Sequence, residues 1–174
     1  SAIPVEVHDG FDADAVMTAA REGATLVSLV PTALNRIDAS LFRRILLGGS
    51  AVPKERPENV IATYGMTETG SGIVYNGHPL QGVELRVVKD EVQIRCPMLF
   101  RCYRNGGDPF TKDGWYPSGD SGSLSSEGVL SVYGRMGDMI ITGGENVWPV
   151  AVERSLEKVT HVQECAVVGR PDPE

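Results

Sequence analysis

Short apolar runs that end at glycine clusters are the feature that most restricts the fold of this chain. Residues 44–47 lead into Gly48-Gly49, and residues 60–63 lead into Tyr64-Gly65. Continuously apolar strands of this length suit a parallel sheet covered on both faces. Ligands of such sheets bind beyond the carboxyl ends of the strands. Because glycine permits close approach of the backbone to a ligand, both glycine segments are candidate site segments.

A helix precedes these strands. Asp12 is its predicted N-cap, and Gly23 is its predicted stop. Its apolar face consists of Ala15, Val16, Ala19 and Ala20. Residues 26–30 form a further predicted strand, which Pro31 ends. We therefore expect residues 1–81 to be α/β.

Residues 82–136 change to a period of two. In residues 83–88 apolar and polar positions alternate, and Lys89-Asp90 makes a turn before a returning strand. A second hairpin is predicted from residues 122–124 to residues 129–132. These patterns indicate an antiparallel β subdomain, either a small sheet or a barrel.

Residues 137–174 return to a mixture of strand and helix. We predict a short strand at residues 139–141, a helix that starts at Pro149 and another strand at residues 164–168. This pattern is unfinished at residue 174, so we expect the start of a small α+β domain. The predicted fold class is α/β plus β.

Composition and charge exclude several classes of function. A net charge of -7 disfavours general binding to nucleic acid or anionic lipid. No apolar run approaches the ~20 residues of a membrane span, and we expect no signal peptide. The three cysteines form no Cys-x-x-Cys pair and the histidines are scattered, so a disulfide framework or zinc site is disfavoured. These features predict a cytoplasmic protein.

Three segments carry candidate chemistry. Residues 63–72 nearly match a Walker phosphate loop, but Ser71 stands where the lysine belongs and no helix pattern follows, so we reject that class. The segment still offers backbone N–H groups, the Thr67 hydroxyl for a phosphate and the Glu68 carboxylate for Mg²⁺. By itself the segment is better explained as a polar strand-to-loop turn.

The other two segments follow in the second half of the chain. Asp120 lies between glycines and can accept hydrogen bonds from two vicinal hydroxyls, although an Asx turn is the simpler explanation. Arg135 provides a planar donor fork for ribose or phosphate oxygens. Gly143-Gly144 offers bare backbone to a thin ligand, or alternatively the tip of a surface hairpin.

In combination, four ordered motifs resemble those of the adenylate-forming superfamily, which includes acyl- and aryl-CoA ligases, peptide-synthetase adenylation domains and luciferases. The motifs are Gly48-Gly49-Ser50, Tyr64–Glu68, residues 113–120 and residues 134–149. The resemblance implies that residues 1–81 belong to a large AMP-binding domain and residues 82–136 to its β subdomain. Residues 137–174 would then be the hinge and the start of the C-terminal domain.

The resemblance also implies roles for individual residues. The nucleotide would be bound by Gly49, Ser50, Ala51, Tyr64, Gly65, Met66, Thr67, Asp120 and Arg135. Thr67 and Glu68 would be catalytic, with Thr67 on the α-phosphate and Glu68 on Mg²⁺. Gly143 and Gly144 would line the CoA tunnel, and Gly137 would be the hinge. Thr69 and Ser71 would contact the acid.

The implied ligands are a small carboxylic acid, ATP or AMP, Mg²⁺ and coenzyme A. Compact connections at residues 51–59 and 69–83 are similar to those of o-succinylbenzoate–CoA ligases of menaquinone biosynthesis. Another acyl- or aryl-CoA ligase and a non-catalytic nucleotide-binding remnant are the alternatives, and a homo-oligomer is compatible with the family. The family's phosphate loop and catalytic lysine would lie outside residues 1–174, so we expect little activity from this chain alone.

Overall fold

The computed structural model describes residues 4–49, 52–53, 55–156, 158–162 and 164–171. The chain divides into two compact units, Ser1–His78 and Pro79–Glu174. Domain boundaries after residues 81 and 136 stay predictions. Within the described ranges, no helix is both long and apolar enough to cross a membrane.

The first unit is built on a mixed sheet. Its elements are α1 (Ala13–Arg21), β1 (Leu26–Leu29), α2 (Pro31–Leu34), a 3₁₀ turn (Ala39–Leu41), β2 (Arg44–Leu47), β3 (Val60–Met66), a second 3₁₀ turn (Thr67–Thr69) and β4 (Ser71–Tyr75). Strands β1, β2 and β3 are parallel, as predicted, and β4 is antiparallel to β3. The two-residue strand β5 (His78–Pro79) completes the sheet order β1-β2-β3-β4-β5.

Helix α1 covers one face of this sheet. The Asp12 carboxylate accepts a hydrogen bond from the Ala15 N–H at 2.8 Å, and Gly23 follows the helix with φ +116°. Both predicted helix signals are therefore confirmed. The core comprises Phe42, Ile45, Leu47 and Val60, with Val16 and Ala20 of α1 packed against it.

The connection between β2 and β3 lacks a common feature of parallel sheets. Parallel strands are usually joined by a crossover of a dozen or more residues that contains a helix. In the described part of residues 48–59 the chain forms no helix. The described residues of this connection therefore run between two parallel strands without a helix.

The second unit contains the predicted hairpins. Its antiparallel sheet has the order β6 (Glu84–Val88), β7 (Glu91–Arg95), β8 (Tyr116–Leu124), β9 (Leu130–Arg135). Lys89 and Asp90 both have positive φ, at 51° and 65°, as a two-residue type I′ turn requires. Strands β6 and β9 are the sheet edges, so of the two predicted alternatives the sheet is observed and the barrel is not.

The end of the second unit follows the prediction in part. A 3₁₀ turn (Met136–Asp138), β10 (Ile140–Thr142), β11 (Glu145–Val147) and helix α3 (Pro149–Leu156) occur in that order. The strand predicted at residues 164–168 is wrong, because these residues are irregular. The Val167 N–H donates to the Glu153 carboxylate at 2.8 Å, so a side chain accepts the hydrogen bond that the backbone of a neighbouring strand would otherwise accept. The α/β plus β fold class is confirmed.

Candidate functional site

The glycine segment after β2 lies at the carboxyl end of a parallel strand. Gly49 has φ +83°, and a Cβ atom there would lie 3.2 Å from the Val30 side chain. The positive φ angle favours glycine at this position, and a Cβ atom would also require the Val30 side chain to move slightly. Ser50 and Ala51, which were predicted to flank an adenine with Gly49, lie outside the described residues.

The segment Tyr64–Glu68 is less of a loop than its sequence indicates. Tyr64, Gly65 and Met66 are the last residues of β3, and the turn begins only at Thr67. The pairing register with β4 shifts between Tyr64 and Gly65. A Cβ atom on Gly65 would overlap the backbone of Ser71, so this glycine allows the two strands to approach closely.

The turn that follows is held by one buried hydroxyl. Thr69 is only 2% exposed, and its Oγ1 accepts the Met66 N–H at 2.9 Å. The same oxygen lies 2.9 Å from the Met66 carbonyl and 2.7 Å from the Ser71 carbonyl. Thr69 therefore stabilises the turn, and its role as an acid contact stays a prediction. The neighbouring Thr67 is exposed, and Glu68 is half-buried.

A cavity of about 450 Å³ opens in the first unit. The predicted site residues Gly49 and Ser71 both line it, together with Thr63 and Gly72. Its remaining lining is mostly apolar and includes Leu29, Val30, Ala33 and Leu46. Small-molecule sites typically have this size and an apolar lining with a few polar groups.

The second unit pairs Asp120 with Arg135. These residues are direct cross-strand partners on β8 and β9. Arg135 Nε lies 3.1 Å from Asp120 Oδ1, with the Asp120 side chain 10% exposed and the Arg135 side chain 57% exposed. The predicted ribose-binding carboxylate is thus nearly buried beside a guanidinium that reaches solvent.

Asp120 lies in an irregular part of β8. Glu91 pairs with Ser121 and Gln93 with Pro117, so two steps along β7 correspond to four along β8. Ser118 Oγ donates to the Val92 carbonyl at 2.7 Å and accepts the Asp120 N–H at 3.1 Å. Bulges of this kind redirect side chains and are common beside functional sites.

An ion pair between Arg86 and Asp113 fixes the start of the second motif, residues 113–120. Both guanidinium Nη atoms of Arg86 bind the Asp113 carboxylate, at 2.6 and 3.2 Å, and the Thr111 hydroxyl donates to it at 2.8 Å. The Arg86 hydrogen bonds, followed by the Thr111 hydrogen bond, lower the pKa of Asp113 to about 2. The guanidinium carbons of Arg86 and Arg95 each lie 4.5 Å from the centre of the Trp115 ring. This cluster anchors the chain just before Asp120.

Residues of the third motif lie in two places, around a cavity and at the tip of a hairpin. Arg135 and Gly137 line a second cavity, of about 670 Å³, together with Tyr133 and Trp148. Gly137 is in the 3₁₀ turn, its φ is not positive, and a Cβ atom there would meet nothing within 4 Å. Its predicted hinge role therefore gains no support from the backbone conformation seen here.

The two glycines of the third motif form the turn between β10 and β11. Gly143 and Gly144 have φ of +57° and +82°, which a two-residue type I′ hairpin requires. The surface-hairpin alternative is thus confirmed, and the CoA-tunnel role stays a prediction.

The predicted metal site rests on Glu68 alone. Among the described residues there is no group of three or more His, Cys, Asp or Glu side chains arranged to hold a metal ion. Mg²⁺ is usually held by one or two carboxylates together with substrate phosphates. A half-buried carboxylate next to the exposed Thr67 hydroxyl fits that mode, with the nucleotide supplying further ligands.

Comparison with known sequences finds relatives over almost the whole chain. No protein-family model matches it. It is 36% identical over 200 residues to a probable 2-succinylbenzoate–CoA ligase of Mycobacterium tuberculosis, covering 98% of this chain and 51% of that protein. It is 31% identical over 212 residues to a feruloyl-CoA synthase of an Amycolatopsis species, covering 97% and 43% respectively. The chain thus spans about half the length of these relatives, or less.

Solved structures give the same result. The o-succinylbenzoate CoA synthetase of Bacillus subtilis, in complex with its acyl-adenylate intermediate, superposes with a TM-score of 0.84 at 30% identity. The match covers 95% of this chain and 42% of that enzyme. The same enzyme in complex with ATP and magnesium ion superposes with a TM-score of 0.83. The predicted resemblance in sequence and fold is confirmed.

Proposed function

Because this chain is related over nearly its whole length to adenylate-forming CoA ligases, we propose that it forms part of an acid–CoA ligase. Such an enzyme makes an acyl-adenylate from a carboxylic acid and ATP, then a CoA thioester. The observation that carries the proposal is the nearly buried Asp120 paired with Arg135 on an irregular strand. Strand irregularities re-aim side chains and are over-represented next to active sites, so the irregular strand supports a ligand-binding role for this pair.

In the second unit, Asp120 would accept hydrogen bonds from the ribose hydroxyls of the nucleotide. A carboxylate has two oxygens and accepts only, so it matches a vicinal diol. Arg135 lies against one of these oxygens and neutralises the charge of the nearly buried group.

In the first unit, the turn at Thr67 and Glu68 would contact the phosphates. Thr67 would donate its exposed hydroxyl to the α-phosphate, and Glu68 would hold Mg²⁺. When bound, the metal ion supplies charge stabilisation to the phosphoryl oxygens. The acid carboxylate attacks the α-phosphorus and pyrophosphate leaves; the CoA thiol then attacks the adenylate carbonyl and AMP leaves. Thr67 and the backbone N–H groups near it would orient the phosphate for the first step.

For the acid, we propose o-succinylbenzoate, as part of menaquinone biosynthesis. Relatives with 30–36% identity carry that name, and the cavity beside Ser71 has the mainly apolar lining that an aromatic acid needs. A hydroxycinnamate is the second candidate, because the feruloyl-CoA synthase is 31% identical. Among the described residues, Cys96, Cys102 and Cys165 form no disulfide, and we propose a reducing cytoplasm as the compartment.

The test is acid-dependent exchange of labelled pyrophosphate into ATP by the protein in its full natural length. We expect o-succinylbenzoate to stimulate exchange more than benzoate, ferulate or a fatty acid. Greater stimulation by ferulate would instead favour a hydroxycinnamate, the second candidate, as the acid. Binding of AMP without exchange for any acid would instead support the non-catalytic alternative.

A further inference from the structure

One peptide group beside Asp120 is held from both sides. The Ser118 carbonyl accepts a hydrogen bond from Arg135 Nη1 at 2.8 Å. The N–H of the same peptide group, which belongs to Gly119, donates to Glu91 Oε1 at 3.1 Å. The oxygen and the N–H of a trans peptide point in opposite directions, so the two bonds together fix its orientation.

This peptide needs such a constraint. Gly119 has φ +72° and no Cβ atom, so rotation of the adjoining peptide meets little steric resistance. Asp120 follows directly, and its N–H is bound to Ser118 Oγ. Rotation of the Ser118–Gly119 peptide would therefore move the carboxylate that pairs with Arg135.

Glu91 is itself oriented by a chain of side chains. The Gln93 amide nitrogen lies 3.4 Å from Glu91 Oε2, and Arg86 Nε donates to the Gln93 amide oxygen at 2.8 Å. Gln93 is only 6% exposed, and Arg86 is fixed at its other end by Asp113. The hydrogen-bonded chain thus runs from the ion pair at Asp113 to the backbone at Gly119.

We propose that Glu91 is a positioning residue for recognition of the nucleotide ribose, with Gln93 orienting Glu91. This inference rests on the proposed ribose role of Asp120. Glu91 touches no substrate; it fixes the peptide that sets the direction of the Asp120 carboxylate. Neither Glu91 nor Gln93 lies in the sequence motifs, and only the bulge between β7 and β8 brings Glu91 to Gly119.

The test measures the affinity of wild type and variants for AMP and for 2′,3′-dideoxy-AMP by calorimetry. Glu91→Leu should weaken AMP binding about tenfold and leave dideoxy-AMP binding unchanged, because only AMP has the hydroxyls that Asp120 binds. Glu91→Gln keeps an acceptor oxygen and should retain most of the preference. Glu84→Leu is the matched control, since Glu84 binds Arg95 in the same sheet and should not change the AMP preference.

The outcomes separate the two proposals. A wild type that binds both nucleotides equally, or neither, would remove the ribose role of Asp120 and the inference with it. If the wild type prefers AMP and Glu91→Leu shows the same preference, the positioning role of Glu91 is wrong, and the ribose role of Asp120 still stands. If Glu91→Leu fails to fold, Glu91→Asp tests the positioning role instead. The shorter side chain keeps the charge, but its oxygen no longer reaches the Gly119 N–H. A preference unchanged in Glu91→Asp would again count against Glu91.

Discussion

Asp120 is the residue on which the proposed nucleotide recognition depends most. Asp120→Asn keeps the shape of the side chain but removes its charge and one acceptor oxygen. Loss of charged hydrogen bonds to the ribose should cost about 1.5–3 kcal/mol, which is roughly 10- to 100-fold in AMP affinity. Calorimetry with AMP measures this effect. Asp108→Asn is the control, because Asp108 is exposed and makes only a local hydrogen bond to Phe110. Equal affinity in both variants would contradict the ribose role.

Asp113 gives a prediction about pH. Its pKa is lowered from 3.8 to about 2 by the hydrogen bonds of Arg86 and then of Thr111. A lowered folded-state pKa means that the interaction contributes its full stability above about pH 3.8 and loses it as the pH falls through about 2. A carboxyl-carbon NMR titration should show a midpoint near 2 in the wild type.

The matching variant is Arg86→Met. Removing the guanidinium should raise the midpoint of Asp113 towards 3.8, because the largest cause of the lowered pKa is lost. The idea fails if Asp113 titrates near 3.8 in the wild type, or if Arg86→Met leaves the midpoint where it was.

At the scale of elements, the 3₁₀ turn Thr67–Thr69 contains two threonines with different roles. Thr69 stabilises the turn, and Thr67 would contact the phosphate. Thr69→Val leaves the Met66 N–H without its acceptor and should destabilise the protein by about 1–3 kcal/mol. Thr67→Val replaces an exposed hydroxyl and should change stability by no more than about 0.5 kcal/mol. Thr67→Val should nevertheless weaken AMP binding. Urea unfolding and calorimetry on both variants give the comparison.

Each variant serves as the control of the other. A stability loss in Thr67→Val equal to that of Thr69→Val would mean that the turn is held differently. Unchanged AMP affinity in Thr67→Val would remove the proposed phosphate contact, while leaving the structural role of Thr69 intact.

Glycines in strand β3 and in the β10–β11 turn have structural roles. Gly65 permits close strand pairing, and Gly143-Gly144 supplies the positive φ angles of a tight hairpin. These glycines thus have structural reasons that hold with or without a ligand. The proposed function consequently rests on Asp120, Arg135 and Thr67, whose side chains would contact the nucleotide.

For the whole molecule, the chain contains two compact units and spans about half the length of its relatives. Alignments to those relatives run over 200–212 positions, which exceeds the 174 residues of the chain. The alignments therefore include positions of the relatives that have no counterpart in this chain. Pyrophosphate exchange by the full-length protein tests the adenylate-forming step of the proposed function at this scale.

Local sequence determined the secondary structure of most of the chain. The helix that begins after Asp12, the parallel apolar strands and both hairpins follow from capping, periodicity and turn residues, which act over a few neighbouring positions. The ordered motifs also identified the fold and the candidate residues. The predicted strand at residues 164–168 failed because an apolar run forms a strand only when another strand is available to pair with it.

Tertiary structure alone decided how the candidate residues are used. The register of β8 against β9 pairs Asp120 with Arg135, and the bulge against β7 brings Glu91 to the Gly119 N–H. Folding also buries the Thr69 hydroxyl, which accepts the Met66 N–H. Hydrogen-bond partners of this kind come from strands distant in sequence, and their register depends on the packing of the whole sheet. Local sequence patterns carry no record of that register.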